Sequence, residues 1–343
     1  MGRLATDPPA ARDTGKWHRP AKLKHDNTIA LLACLLAIAS CALLAFYSLF
    51  STFMPYDDEG LFLRANLLFL EGYNFYRDIP WTYGPVYLAT VQLMHDVLEI
   101  PLTNSGLRFI TLGLWLLLGT ICGWLVQRLT NSWIWGLTAF LLSFLYLDAM
   151  VKEPGHPQGL VAIGMTLIPL TATVMRRGRL LRGWVLLGLL TAAVAQIKLN
   201  AGVYTLAAVS IVLLSLLDPG HWRTRLLLMA ALGSLLFPFL IMFPLLGETN
   251  SIAFALIVGL AAAGVALLLG GVEVPAGSFR SALLTFLGGF TATTFSALVY
   301  AGLKGATAID IVDSLLQYSG SQLDFYHFFS RYSYLQIALA LVS

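Results

Sequence analysis

The sequence predicts an all-α polytopic membrane protein with about nine or ten transmembrane helices, and three observations lead there. Of its 343 residues 58% are apolar and only 11% charged, with a mean hydropathy of +0.77, where a soluble domain carries roughly 25% charged residues. Apolar runs long enough to span a bilayer, at about 17–25 residues each, fall near 28–50, 105–126, 132–149, 158–175, 182–198, 201–217, 224–246, 251–270 and 281–303. Between the first and second of these lies a long polar and aromatic segment, residues 51–104.

Residues 1–27 are polar, Pro-rich and basic, and read as a disordered cytoplasmic tail. No small-residue cleavage site follows the first run, so it reads as a retained span and not as a signal peptide. Near the other end, 331–343 starts a tenth span but stops after 13 residues. Either the protein continues beyond this sequence or its end does not span. The net charge of +3 and the lack of a basic run interleaved with aromatics give no sign of nucleic acid. Cys34, Cys41 and Cys122 lie in apolar runs and read as small packing residues, with no disulfide framework or zinc spacing.

The apolar segment 84–100 decides the topology. With the basic tail inside and this segment not crossing, 14 Lys/Arg fall inside and seven outside; if it crosses, the split is 11 to 10. The positive-inside rule favours the first arrangement. Gln92, His95, Asp96 and Glu99 recur at helical spacing, a polar stripe suited to a helix lying on the membrane. In that topology the outer face collects 51–104, the 151–158 loop, the Lys198 turn, 247–250 and 304–331, and 13 of the 18 acids, with Asp148 at a span end, lie on the outer side. The functional surface is therefore expected to be extracytoplasmic.

Two helices are expected in the first outer segment. Along Glu59–Gly72, Glu59 and Asn66 mark one polar edge, and Arg64 and Glu71 another. One edge should face a cleft and the other bulk water. Pro85 sits where a second, short helix begins, a position at which its missing N–H costs nothing. A further surface helix is expected over Thr307–Tyr318, with Asp310, Asp313, Ser314 and Gln317 as its polar stripe.

The densest chemistry is Asp57-Asp58-Glu59, directly after the first span. Carboxylates near hydrocarbon lose hydration and usually mark function. The plain alternative is an acidic turn capping the next helix. Tyr76-Arg77-Asp78 and Trp81-Thr82-Tyr83 form an aromatic loop with a cation, either a headgroup-level aromatic belt or a surface that stacks on sugars with Arg77 near a phosphate. Lys198 either snorkels or holds a lipid phosphate. Glu153 and His156 share a Pro/Gly-constrained loop and can ligate a cation together with Asp58, although a lone loop histidine is usually not a ligand.

Taken together, the Asp-Glu pair after the first span, the spacing Gly72, Tyr76, Asp78, and Tyr83-Gly84-Pro85 opening a short helix resemble membrane glycosyltransferases of the GT-C class. The family 39-like group, with protein O-mannosyltransferases and the lipid A aminoarabinose transferase, is the best match to these motifs. The resemblance implies a catalytic base at Asp58, with Asp57 as the register alternative and Glu59 beside it. It implies a second acid in the next outer loop, where Glu153 or Asp148 stands. Some members place a lysine before the short helix to hold phosphate; Thr82-Tyr83 occupy that place here, which turns attention to Arg77, Lys152 or Lys198. Tyr76, Asp78, Trp81, Tyr83, Glu153 and His156 become candidate substrate contacts.

The implied reaction takes a sugar from a polyprenyl-phosphate donor to an extracytoplasmic lipid, glycan or protein acceptor. It proceeds with inversion, at the cell (inner) membrane, and requires no metal, although a divalent cation is compatible with it. Two other classes compete. A transporter or lipid flippase would carry ionisable residues at mid-span and inverted repeats, whereas charge here gathers at span ends. A non-catalytic assembly subunit of the cell envelope would tolerate change throughout 55–87.

Overall fold

The computed structural model describes residues 24–52, 58–79, 81–148, 153–174, 180–243, 246–247, 249–271 and 278–315. Among them secondary structure is helical apart from one isolated bridge between Phe75 and Ile79. In chain order the helices are α1 (Lys24–Ser51), α2 (Asp58–Leu70), α3 (Pro85–Leu98), α4 (Asn104–Thr130), α5 (Trp133–Asp148), α6 (Gln158–Val174), α7 (Leu180–Ile197), α8 (Leu199–Ser215), α9 (His221–Ile241), α10 (Thr249–Gly270), α11 (Ser278–Leu303) and α12 (Ala308–Asp313).

Nine of these, α1 and α4 to α11, occupy the nine predicted apolar runs. Five of them, in α1, α4, α9, α10 and α11, are long and apolar enough to cross a bilayer, and α5 to α8 are apolar but shorter. Their outward faces are studded with exposed leucine, valine and phenylalanine, as expected where lipid replaces water. The chain is a polytopic membrane protein.

Helix pairing relies on small residues, as it must where lipid tails offer no hydrophobic gain over leucine. A Cβ added at Gly188 of α7 would lie 2.1 Å from the Phe286 carbonyl of α11, and one at Gly289 of α11 would lie 2.2 Å from the Val185 carbonyl of α7. The two backbones are thus in mutual contact. On α1, Cys41, Ala45 and Leu49 recur every fourth residue and are the buried stripe that meets α4 and α5.

Residues 52–104 leave and re-enter at the same end of the bundle. Arg108, in the second turn of α4, bonds both the Leu49 carbonyl at the end of α1 and Glu59 at the start of α2. Chain that departs and returns to one guanidinium crosses the bundle an even number of times. α3, with 14 residues and thus about 21 Å long against a core of about 30 Å, does not carry the chain across, in line with its polar stripe. Part of that stripe is spent on protein: Gln92 accepts from the Tyr300 hydroxyl of α11 at 2.5 Å, and His95 Nδ1 pairs with the Ile100 carbonyl at 2.9 Å.

Two expectations shift. Residues 24–27 belong to α1, because nothing in Lys-His-Asp-Asn breaks a helix; the rest of the predicted tail lies outside the described residues. The helix expected over Thr307–Tyr318 is described as Ala308–Asp313, followed by Ser314 and Leu315. Thr307 caps it and Asp310 completes the capping box: Thr307 Oγ1 accepts from Asp310 N while the Asp310 carboxylate accepts from Thr307 N. The partial tenth span lies outside the described residues.

Gly84 docks the start of α3 on the end of α7. Its N–H donates to the Ile197 carbonyl at 3.0 Å, and a Cβ there would sit 2.1 Å from the Gln196 carbonyl oxygen. Backbone cannot yield as a side chain does, so Gly84→Ala should lower stability by about 1–3 kcal/mol. Gly288→Ala, where nothing lies within 4 Å, should be neutral or slightly stabilising. Thermal unfolding in detergent micelles measures both, and equal shifts would exclude a special role for Gly84.

Candidate functional site

The loop after α2 is built from the residues that carry the family resemblance. Gly72 (φ +99°) ends α2: its N–H reaches the Phe69 carbonyl and the Tyr73 N–H reaches that of Leu68, the paired bonds of a left-handed helix stop. Asn74 and Asp78 close the next turn reciprocally, the Asn74 N–H donating to Asp78 Oδ2 at 2.9 Å and the Asp78 N–H to the Asn74 carbonyl at 2.9 Å. Tyr76 (φ +72°) turns inward and its hydroxyl donates to the Tyr83 carbonyl at 2.8 Å.

These contacts revise several expected roles. Tyr76, Trp81 and Tyr83 are buried and packed against Phe62, Phe75 and Tyr87, so their ring faces meet one another and offer no sugar-stacking surface. The aromatic run is a core because one amphipathic helix, α2, contributes Phe62 to its centre. Ser314 clasps it from outside, accepting from the Trp81 N–H at 3.0 Å and donating to the Trp81 carbonyl at 2.8 Å. Arg77 and Asp78 point outward as an ion pair at 3.2 Å. The Asn74 N–H and then Arg77 hold the Asp78 carboxyl below its usual range. With the Asn74 amide nitrogen donating to the Lys304 carbonyl, its oxygen accepts from Arg77 at 2.6 Å. Arg77 thus fastens the loop, and neither it nor Asp78 lines the groove between α4, α5 and α6.

The two edges of α2 separate as predicted, with a difference. Arg64 and Glu71 are exposed and 3.7 Å apart. Glu59 and Asn66 are buried, but in packing and not on a cleft. Glu59 receives Arg108 Nε at 2.8 Å and Nη2 at 2.6 Å, while Nη1 donates to the Leu49 carbonyl at 2.5 Å. Both side chains are almost fully buried. A carboxylate bound on both oxygens inside protein is not placed to take a proton from a substrate, so Glu59 is a structural anchor. Asp58 is the first residue of α2; Asp57 and Lys152 lie outside the described residues.

The second cluster forms around the 153–158 turn. Pro154 and Pro157 are fully buried. Gly155 (φ +77°) is held at both ends, its N–H by Thr111 Oγ1 at 2.8 Å and its carbonyl by the Tyr87 hydroxyl at 2.9 Å. The turn therefore presents His156 in one direction. Gln158 N–H donates to His156 Nδ1 at 3.2 Å, and Nε2 meets the Tyr83 hydroxyl at 2.9 Å and stands 4.0 Å from Glu153 Oε2. An Nδ1 that accepts carries no proton, which assigns the proton to Nε2. With both nitrogens so engaged, the lone pair a metal would need is taken up, and the expected cation site of His156 with Glu153 and Asp58 does not fit. Among the described residues no group of three ligand side chains could hold a metal.

Lys198 completes the cluster. It is the single extended residue between α7 and α8, and its Nζ lies 5.9 Å from the centre of the Tyr83 ring. Burial, and then the Lys198 charge, push the His156 pKa down to about 3. The imidazole is neutral at physiological pH.

Below this cluster runs a cavity of about 650 Å³. α5 and α6 each pack on α4, and the cavity is the groove between them. Thr111, Trp115, Leu118 and Cys122 form its α4 wall, and Gln158, Ala162 and Thr166 its α6 wall. Leu142 and Tyr146 of α5 line it and yet are largely exposed, so it opens sideways, where lipid would lie. Its head is polar, with Glu153, His156 and Gln158. From Gln158 to Thr166 it descends about 12 Å at 1.5 Å per residue.

No protein family, curated protein or solved structure matches this chain. What the site can do follows from its own shape and donors: a largely apolar groove with Glu153, His156 and Gln158 at its head, the Tyr83 hydroxyl bonded to His156 and Lys198 beside the Tyr83 ring. Sequence reasoning named Glu153, His156, Tyr83 and Lys198, which the fold brings together. It missed Arg108, Thr111 and Phe62. Arg108 carried a signal, since an ionisable residue inside an apolar run implies a partner.

Two predictions follow from this geometry. Arg108→Met leaves Glu59 buried without its counter-charge and should cost about 3–5 kcal/mol. Adding Glu59→Met should restore most of that in a detergent unfolding cycle, and additive losses would show that the two do not act as a pair. For His156, the folded pKa of about 3 lies below its ordinary value of 6.5. The unfolded chain therefore binds the extra proton between these values, and stability should fall as pH drops through that window. His156→Gln should remove this component; an unchanged pH slope would show that the imidazole is not held neutral.

Proposed function

We propose that the chain is a polyprenyl-phosphate-dependent glycosyltransferase of GT-C type, its site at the head of the α4–α6 groove on the extracytoplasmic side, with the N-terminus cytoplasmic. The observation that carries this reading is the groove itself, which joins a sideways opening of lipid depth to a cluster holding both a carboxylate and a lysine. The excess of Lys/Arg at the opposite span ends supports the orientation. Nucleotide sugars are cytoplasmic, so a transferase facing outward needs a donor that the membrane presents.

In this scheme Asp58 takes the proton of the acceptor hydroxyl as its oxygen attacks the anomeric carbon. The bond from that carbon to the phosphate oxygen breaks on the opposite face, which gives inversion. The departing phosphate gathers negative charge, and Lys198, whose charge is felt by His156 at the groove head, is the cation assigned to meet it. Helical register supports the assignment of Asp58: residue 58 stands one turn before Phe62 on α2, and the Phe62 ring packs 5.3 Å from that of His156. A transporter draws no such support, because the charged residues of the apolar helices stand within the first two turns or the last.

Asp58→Asn should reduce transfer of labelled sugar from a polyprenyl-phosphate donor by about 10²–10⁴-fold, with expression unchanged. Undiminished transfer would remove Asp58 from the mechanism. Sugar-independent lipid scrambling in proteoliposomes would favour the flippase instead.

A further inference from the structure

We propose that the outward face of α9 is a docking lane for an anionic phospholipid of the bilayer, with Arg225 and Trp222 at its headgroup end. The lane lies away from the groove head. α8 starts beside Lys198, and its 17 residues carry the chain about 25 Å to the turn where α9 begins. The inference therefore stands apart from the transferase reading and is tested by binding alone.

α9 divides along its length into two opposite faces. Arg223, Leu227 and Ala231 recur every fourth residue and are buried, the last two in a cluster with Ile211 of α8 and Ala266 of α10. Half a turn round, Trp222, Arg225, Met229, Leu232, Leu236 and Leu240 recur at steps of three and four, and all are exposed. An apolar stripe is ordinary on a helix that faces lipid. Its end is what selects a ligand. The two arginines there are used differently: Arg223 turns inward, its Nη2 donating to the Leu269 carbonyl near the end of α10 at 2.9 Å, whereas Arg225 turns outward, its guanidinium 5.7 Å from the centre of the exposed Trp222 ring. Among the described residues no carboxylate pairs with Arg225.

Charge decides what covers this face. From Asp218 to Arg225 the chain has two arginines against one aspartate, and the first turn of α9 holds no acid, so the positive end of the helix dipole adds to the Arg225 charge. A second copy packed on the same face about a twofold axis along the membrane normal would set Arg225 against Arg225. A zwitterionic lipid brings a cation of its own. An anionic headgroup brings the complement: arginine presents a fork of N–H donors that matches phosphate, and an indole belongs at headgroup depth. The apolar part of the lane has the matching length. From Arg225 to Leu236 it runs about 16 Å at 1.5 Å per residue, close to half of a hydrocarbon core of about 30 Å, which is the reach of one leaflet's acyl chain.

The test uses the full chain purified in detergent, with dioleoyl phosphatidylglycerol and dioleoyl phosphatidylcholine as probes and the first bound lipid read by native mass spectrometry. Wild type should hold phosphatidylglycerol about fivefold more tightly than phosphatidylcholine, the contribution of one cation near a membrane surface. Arg225→Gln should bring the two lipids to near equality, and Arg225→Lys, which keeps the charge, should keep most of the preference. Trp222→Leu, which removes the ring under the guanidinium, should lose about two- to fivefold in phosphatidylglycerol affinity. Arg128→Gln removes another exposed arginine, in the last turn of α4, and should leave the preference intact. All these positions are exposed, so folding should be unaffected. An unchanged preference in Arg225→Gln would overturn the proposal. So would an equal loss in Arg128→Gln, since the preference would then belong to the basic end as a whole. A dimer in light scattering that Leu236→Ala dissolves would also overturn it, in favour of a second copy on this face.

Discussion

The buried guanidinium of Arg108 is the constraint on which the rest of the site depends. A charge taken out of water needs nearly all its donors satisfied, and Arg108 draws its partners from two other helices: the Leu49 carbonyl at the end of α1 and both oxygens of Glu59 at the start of α2. The α1 carbonyl is one of the orphan acceptors that every helix leaves in its last turn. One side chain therefore ends one helix, begins the next and fixes both against a third. The groove then follows from α4 alone: Thr111, Trp115, Leu118 and Cys122 continue down the helix from Arg108 at steps of three and four, so α2 begins directly above the groove.

Much of this fold was legible in the sequence, and the reason differs by feature. The nine apolar runs could be read because a bilayer imposes length and composition on each span independently of its neighbours. The non-crossing segment 84–100 could be read because its polar residues recur on one face and because basic residues distribute unevenly across membranes. Gln92, however, spends its polarity on Tyr300 and not on water. Sequence spacing marks a polar face without naming what meets it.

The site was legible only as an inventory. Trp81, Tyr83 and Tyr76 have the composition of an interfacial belt, a sugar platform or a core, and only the packing of α2 decides for the core. Asp78 and Arg77 read as ligands, yet the turn at Asn74 needs both. Glu59 looked equivalent to its acidic neighbours until the partner 49 residues away appeared. The Ser314 clasp on Trp81 spans 233 residues and left no local signal at all. By contrast, Glu153, His156 and Lys198 stood out because each breaks the expectation of its setting: a constrained polar turn between two apolar helices, and a single extended residue between two others.

The placement of charge completes the argument. At the groove head burial and the nearby Lys198 charge keep His156 neutral, whereas the buried Glu59 meets Arg108 on both of its oxygens. Pairing Glu59 fixes structure whatever the ligand, because the pair neutralises itself. Because His156 stays uncharged, the positive charge of this cluster sits on Lys198, a compact ammonium that in the proposed reaction would meet the departing phosphate. In the proposed reaction the groove would bring the donor's lipid chain to this cluster, where the 153–158 turn holds His156 in place.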